Sequence, residues 1–234
     1  MIINEKFVPI GHPNRPGWKR EGPTLAFVIH STANLWPGAG DEWHAKYFAR
    51  QWQMAKYNEF GKTTPGMCEA GPLDDLGYGT KFRVGCTHLA ADQDSVTYIL
   101  PLDEYAPGAG DRTLQYDEQW KGQKALARYA FGNRQNYRTT QIEVCENADG
   151  DWLRSLANAR DWVINECVKE GLSVDRDGSI VPESVFEPPM PGRVLIVRHY
   201  DITGKNCPSR LVKHQDEWEN LVNYIAAAVN GGRP

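Results

Sequence analysis

Residues 198–208 read RHYDITGKNCP, and a histidine (His199) and a cysteine (Cys207) flank a Gly-Lys-Asn turn that carries Lys205. An imidazole and a thiolate brought together across a turn are donors that zinc accepts in tetrahedral coordination. A third candidate donor, His30, closes the apolar run TLAFVIH at residues 24–30. Three protein ligands leave a fourth position for water, which separates a catalytic zinc from a structural one. The same residues have a plainer reading. His-x7-Cys is a loose spacing, a free cysteine is commonly core, and a strand-end histidine is commonly satisfied by its neighbours. Spacing alone leaves both readings open.

Strands and helices must position these side chains. TLAFVIH is a short apolar run bounded by Pro23, as in a buried strand. Residues 41–57 predict a helix with Asp41 as N-cap, and residues 96–104 a second strand running into a turn. TTQIEVCEN, residues 139–147, predicts a third strand with Gln141, Glu143 and Cys145 on one face and Ile142 and Val144 on the other. Leu153, Leu156, Ala157, Val163, Ile164 and Cys167 recur at helical spacing over residues 152–171, with Gly171 where a C-terminal glycine belongs. Residues 193–199 predict a fourth strand that ends on His199. Trp218, Leu221, Val222, Ile225 and Val229 mark a last helix closed by residues 230–232. Strands alternating with helices predict a layered α/β domain over residues 24–234. The Pro- and Gly-rich residues 1–23 read as an extended arm and the Gly/Pro-laden residues 61–80 as a loop insertion.

A length of 234 residues suffices for a hydrophobic core, and a net charge of −4 gives no electrostatic reason to bind nucleic acid. No apolar run is long enough to span a bilayer, and the first residues lack the pattern of a signal peptide. Cys68, Cys86, Cys145, Cys167 and Cys207 are odd in number and scattered, which is no disulfide framework and suits a reducing cytoplasm. His12, His44 and His214 have no supporting context and read as surface residues; His88 suits a supporting, substrate-facing or structural role. Cys145 reads as packing, and Trp152, Trp162 and Trp218 as core.

Four segments carry a resemblance: VIHSTAN, PLDEYAPGAGD, TTQIEVCEN and RHYDITGKNCPSRL, in that order. They resemble the landmarks of zinc-dependent N-acetylmuramoyl-L-alanine amidases, the family of phage endolysins and peptidoglycan recognition proteins. The resemblance implies one α/β domain with a central mixed β-sheet flanked by helices. It implies that His30, His199 and Cys207 bind Zn2+, that Glu143 is the catalytic carboxylate, and that Lys205 assists it. Without the motif, Glu143 has two readings, a solvated strand glutamate or a charge that faces something particular among apolar neighbours, and Lys205 reads as a turn lysine. The chain also departs from the family. Thr87-His88 stands where some members carry a tyrosine beside the metal, and PGAG at residues 107–110 replaces a WHAG-like turn. The expected protein is a monomeric phage endolysin that accumulates in the host cytoplasm and reaches peptidoglycan after membrane breach, with no separate wall-binding domain. It would cut the amide between N-acetylmuramic acid and L-alanine. The alternatives are a non-catalytic peptidoglycan-binding module of the same fold and, more remotely, a structural zinc site.

Overall fold

The computed structural model of the chain describes residues 1–12, 14–49, 85–109, 130–131, 134–182, 185 and 187–231. The strands are β1 (Ile2–Glu5), β2 (Ala26–Ser31), β3 (Leu89–Ala91), β4 (Ser95–Tyr98), β5 (Thr139–Val144), β6 (Ser173–Val174) and β7 (Arg193–Arg198). They form one sheet in the order β1-β4-β3-β5-β2-β7-β6. Only β3 and β4 pair antiparallel, so the sheet is mixed, as the resemblance implies. The helices are α1 (Asp41–Ala49), α2 (Gln135–Arg138), α3 (Trp152–Glu170), α4 (Arg176–Ile180), α5 (His199–Thr203), α6 (Ser209–Lys213) and α7 (Gln215–Asn230).

Every residue of β2 is buried, which explains its unbroken apolar run: a central parallel strand is covered on both faces. Alternation divides its side chains. Phe27 and Ile29, with Ile142, Val144, Val194 and Ile196, pack against Trp162 and Val163 of α3 and Trp218, Val222 and Ile225 of α7. Ala26 and Val28, with Leu195 and Val197, meet Phe131 and Ile202 on the opposite face. Beside them Ala90 and Cys145 pack on Ala45 of α1. His30, Gln141 and Glu143 share this second face by the same alternation.

The long helix α3 starts and stops as the sequence predicts. The Asp151 carboxylate accepts from the Leu153 and Arg154 amides, and Gly171 at φ 68° donates to the Cys167 and Val168 carbonyls. Leu153 differs from expectation: it is exposed, outside the buried stripe.

Other differences have local causes. The described part of residues 1–23 is one short strand followed by turns, and it is tied into the domain. Strand β1 pairs parallel with β4 and supplies the partner that an edge needs, Val8 is buried, and Arg15 grips Glu104 with two bonds of 2.8 and 2.9 Å. Asp41 is the first residue of α1 and its carboxylate serves two elements: one oxygen accepts the Glu42 amide of the helix at 2.6 Å, and the other accepts the Ser95 and Thr97 hydroxyls of the sheet at 2.9 and 2.7 Å. The expected strand over residues 96–104 is the four-residue β4, and β3 before it escaped the pattern because three residues carry almost no periodicity. His12 and His44 are buried, not on the surface. The insertion at 61–80, Cys68 and the second half of the helix expected to end at 57 lie outside the described residues.

Candidate metal centre

The strands β5, β2 and β7 are adjacent and parallel, so their C-terminal ends share one edge of the sheet. That edge is where open α/β folds place their sites. His30 is the penultimate residue of β2 and stands opposite Glu143 of β5 in register. His199 follows β7 directly and opens α5. Gly204 ends that helix at φ 76°, a left-handed conformation that only glycine adopts cheaply, and its amide donates to the Tyr200 carbonyl. The chain then returns to Cys207, whose carbonyl accepts the Tyr200 amide at 2.9 Å. The turn therefore delivers Cys207 alongside His199.

An ion pair clamps the start of α5. The Arg198 amide donates to the Asp201 carboxylate at 2.7 Å, and the Arg198 guanidinium grips the same carboxylate from 2.8 Å. One guanidinium nitrogen also donates to the Leu211 carbonyl and Gln215, and the group lies 5.0 Å from the Trp218 ring.

His30, His199 and Cys207 are all buried, and their donor atoms lie within 4.8 Å of one another. The Cys207 Sγ to His30 Nδ1 separation is 3.9 Å, and the two imidazole centroids are 4.6 Å apart. Donors on a tetrahedral zinc, at about 2.3 Å for sulfur and about 2.0–2.1 Å for nitrogen, lie roughly 3.5 Å from each other. His199 Nδ1 is buried and without a hydrogen-bond partner among the described residues, a costly state for an imidazole that an ion would relieve. The donor chemistry agrees. Burial pushes His30 down to about 4 and His199 well below its usual range, with the Lys205 charge adding to both, so both rings keep lone pairs at neutral pH. Burial raises the Cys207 thiol to about 12, with Glu143 adding to the rise, so metal binding has to displace its proton. The residues present fit zinc.

Glu143 is half-buried, and its Oε2 is shielded from solvent with no partner among the described residues. Burial raises its carboxyl to about 7, against the pull of Lys205. A carboxyl poised near neutrality can both take and give a proton. Lys205 is exposed on the turn, and its charge reaches His30, His199, Glu143 and Cys207. The structure thus gathers all five residues singled out in the sequence at one end of the sheet.

The remaining candidates fall elsewhere. His88 is structural: Nε2 donates to the Glu104 carbonyl at 2.9 Å and Nδ1 accepts the Gln141 amide at 2.9 Å. Cys145 packs in the core, as expected. Sequence reasoning passed over Gln141, whose Oε1 lies 2.6 Å from His30 Nε2. Its position on the Glu143 face of β5 was the available signal.

No protein-family model matches the chain. It is similar to the N-acetylmuramoyl-L-alanine amidase CwlH of Bacillus subtilis, 26% identical over 229 residues that make up 97% of this chain and 62% of the relative. The amidase BlyA of the same bacterium is 26% identical over 98% of this chain and 48% of its own length. The chain therefore spans 62% and 48% of these two curated relatives. Among solved structures, the catalytic domain of XlyA, a Bacillus subtilis amidase, superposes with a TM-score of 0.57 at 22% identity, covering 95% of this chain and 99% of that domain. PlyL superposes with a TM-score of 0.55 at 16% identity over 97% of this chain and 99% of that one. The chain is thus related in sequence to N-acetylmuramoyl-L-alanine amidases along nearly its whole length and has the fold of an amidase catalytic domain.

Proposed function

We propose that the chain is a peptidoglycan hydrolase that cleaves the amide between N-acetylmuramic acid and L-alanine, with His30, His199 and Cys207 holding one zinc ion. The observation that carries this reading is the convergence of three buried donors within 4.8 Å beside a carboxyl raised to about 7. The similarity to amidases supports the choice of substrate.

When bound, zinc supplies Lewis acidity, polarising a carbonyl and lowering the pKa of water towards neutrality. Glu143 takes a proton from the attacking water as its oxygen bonds to the amide carbon. The same carboxyl then delivers that proton to the L-alanine nitrogen as the C–N bond breaks, so one group serves as base and then acid. The positive charge of Lys205, exposed on the turn and therefore screened by solvent, would favour the negative charge that develops on the carbonyl oxygen. A thiolate leaves the site less positive than a third imidazole would, and Lys205 offsets that difference. No helix among the described residues is long and apolar enough to cross a membrane. The proposed route to the wall is that of a phage endolysin, from host cytoplasm to peptidoglycan after membrane breach.

The test uses purified cell walls and follows turbidity together with newly exposed L-alanine amino groups. Clearing and amine release, abolished by a chelator and restored by zinc, are expected. Binding to walls without amine release would replace this reading with the non-catalytic module.

A further inference from the structure

We infer that Gln141 is a positioning residue for the metal centre, dictating which nitrogen of His30 is free to bind zinc. The inference rests on the proposed zinc site.

A chain of hydrogen bonds sets the direction. The Thr139 hydroxyl lies 2.7 Å from the main-chain carbonyl of Gln135, which can only accept, so the hydroxyl hydrogen is committed there. The Thr139 oxygen is left to accept, and it does so from the side-chain NH2 of Gln141. This fixes the amide with Oε1 towards His30, 2.6 Å from Nε2. Oε1 carries only lone pairs, so Nε2 bears the ring proton. Nδ1 is then the unprotonated nitrogen, and it is Nδ1 that faces Cys207 Sγ at 3.9 Å.

The surroundings hold this chain in place. Gln135, Thr139, Gln141 and His30 are each at most 2% exposed, so water does not compete for the bonds. The Gln141 amide N–H is taken by His88 Nδ1, which fixes the main chain of the same residue. From above, the turn containing Gly108 closes over the side chain. A Cβ at Gly108 would lie 2.9 Å from Gln141 Oε1 and 3.0 Å from its Cγ. A side chain at Gly108 would press on the glutamine and, at 3.1 Å, on the Cys86 carbonyl, so glycine lets the turn close on both.

The test measures zinc affinity of the full chain by competition with a chromophoric chelator, and reads the His30 tautomer from imidazole 15N shifts. Gln141→Met keeps length and removes the acceptor; Gln141→Glu keeps an acceptor. Losing such an outer partner typically weakens metal binding roughly 10–100-fold, and this is expected for Gln141→Met, with a mixed His30 tautomer. Gln141→Glu is expected to stay within a few-fold of wild type. Wild-type affinity and an unchanged tautomer in Gln141→Met would overturn the inference. Should that variant fail to fold, Thr139→Val, which frees the amide to turn, is expected to bind zinc several-fold more weakly, and unchanged binding there overturns it equally. A wild-type chain that binds no zinc at all would instead remove the metal reading beneath it.

Discussion

Glu143 and Cys207 touch the same centre yet are expected to fail differently. Glu143→Gln removes the proton carrier and leaves the three donors intact, so zinc content should match wild type while turnover falls by roughly 100-fold or more. Parallel loss of zinc and activity in that variant would assign Glu143 to the metal instead. His88 shows what a buried histidine does away from the chemistry. Its usual pKa of 6.5 is lowered to about 3, chiefly by burial and further by the Arg20 charge. Below pH 6.5 the unfolded chain therefore takes up a proton that the folded chain refuses, and stability falls as pH drops towards 3. Replacing His88 with Gln should flatten the pH dependence of unfolding free energy by up to about 1.4 kcal/mol per pH unit. Denaturant unfolding of chelator-treated protein from pH 7 to 4 measures it; equal slopes would show that His88 does not carry the effect. The five candidate residues stood out in the sequence because their types, order and turn resemble a known motif, and the fold brings them to one end of the sheet. Gln141 did not stand out, since a glutamine on a strand has no chemistry of its own until a neighbouring strand brings His30 to it.

At the scale of elements, the α5 turn is the part on which the site depends. Asp201 and Arg198 are buried, their side chains 3% and 7% exposed, and their pairing anchors the helix that opens on His199. Asp201→Ala leaves the guanidinium buried without its carboxylate, a loss of about 3–5 kcal/mol. Thermal unfolding reads this directly, and a change under about 1 kcal/mol, the worth of an exposed pair, would mean that the pair is not a clamp. Strands β2 and β7 were readable because central strands covered on both faces become apolar runs, and β5 because Gln141 and Glu143 alternate with Ile142 and Val144. β3 and β6 are three and two residues long, and β1 is a largely exposed edge, so none leaves a pattern of its own. Asp41 serves the helix start through the Glu42 amide and the sheet through two hydroxyls, and its residue type announces only the first of these roles.

Across the whole molecule, sheet order converts sequence distance into proximity. His30 and Cys207 are 177 positions apart, yet β5, β2 and β7 lie side by side and end at one edge. That order could not be read from the strands singly, because nothing in an apolar run names its neighbour. The superposed solved domains share this fold. Metal analysis of the purified chain beside Cys207→Ser bears most directly on the proposed centre. One zinc per wild-type chain is expected, with little or none in Cys207→Ser and wall clearing lost alongside it. Equal zinc and equal clearing in the two proteins would show that the three donors do not hold the working metal.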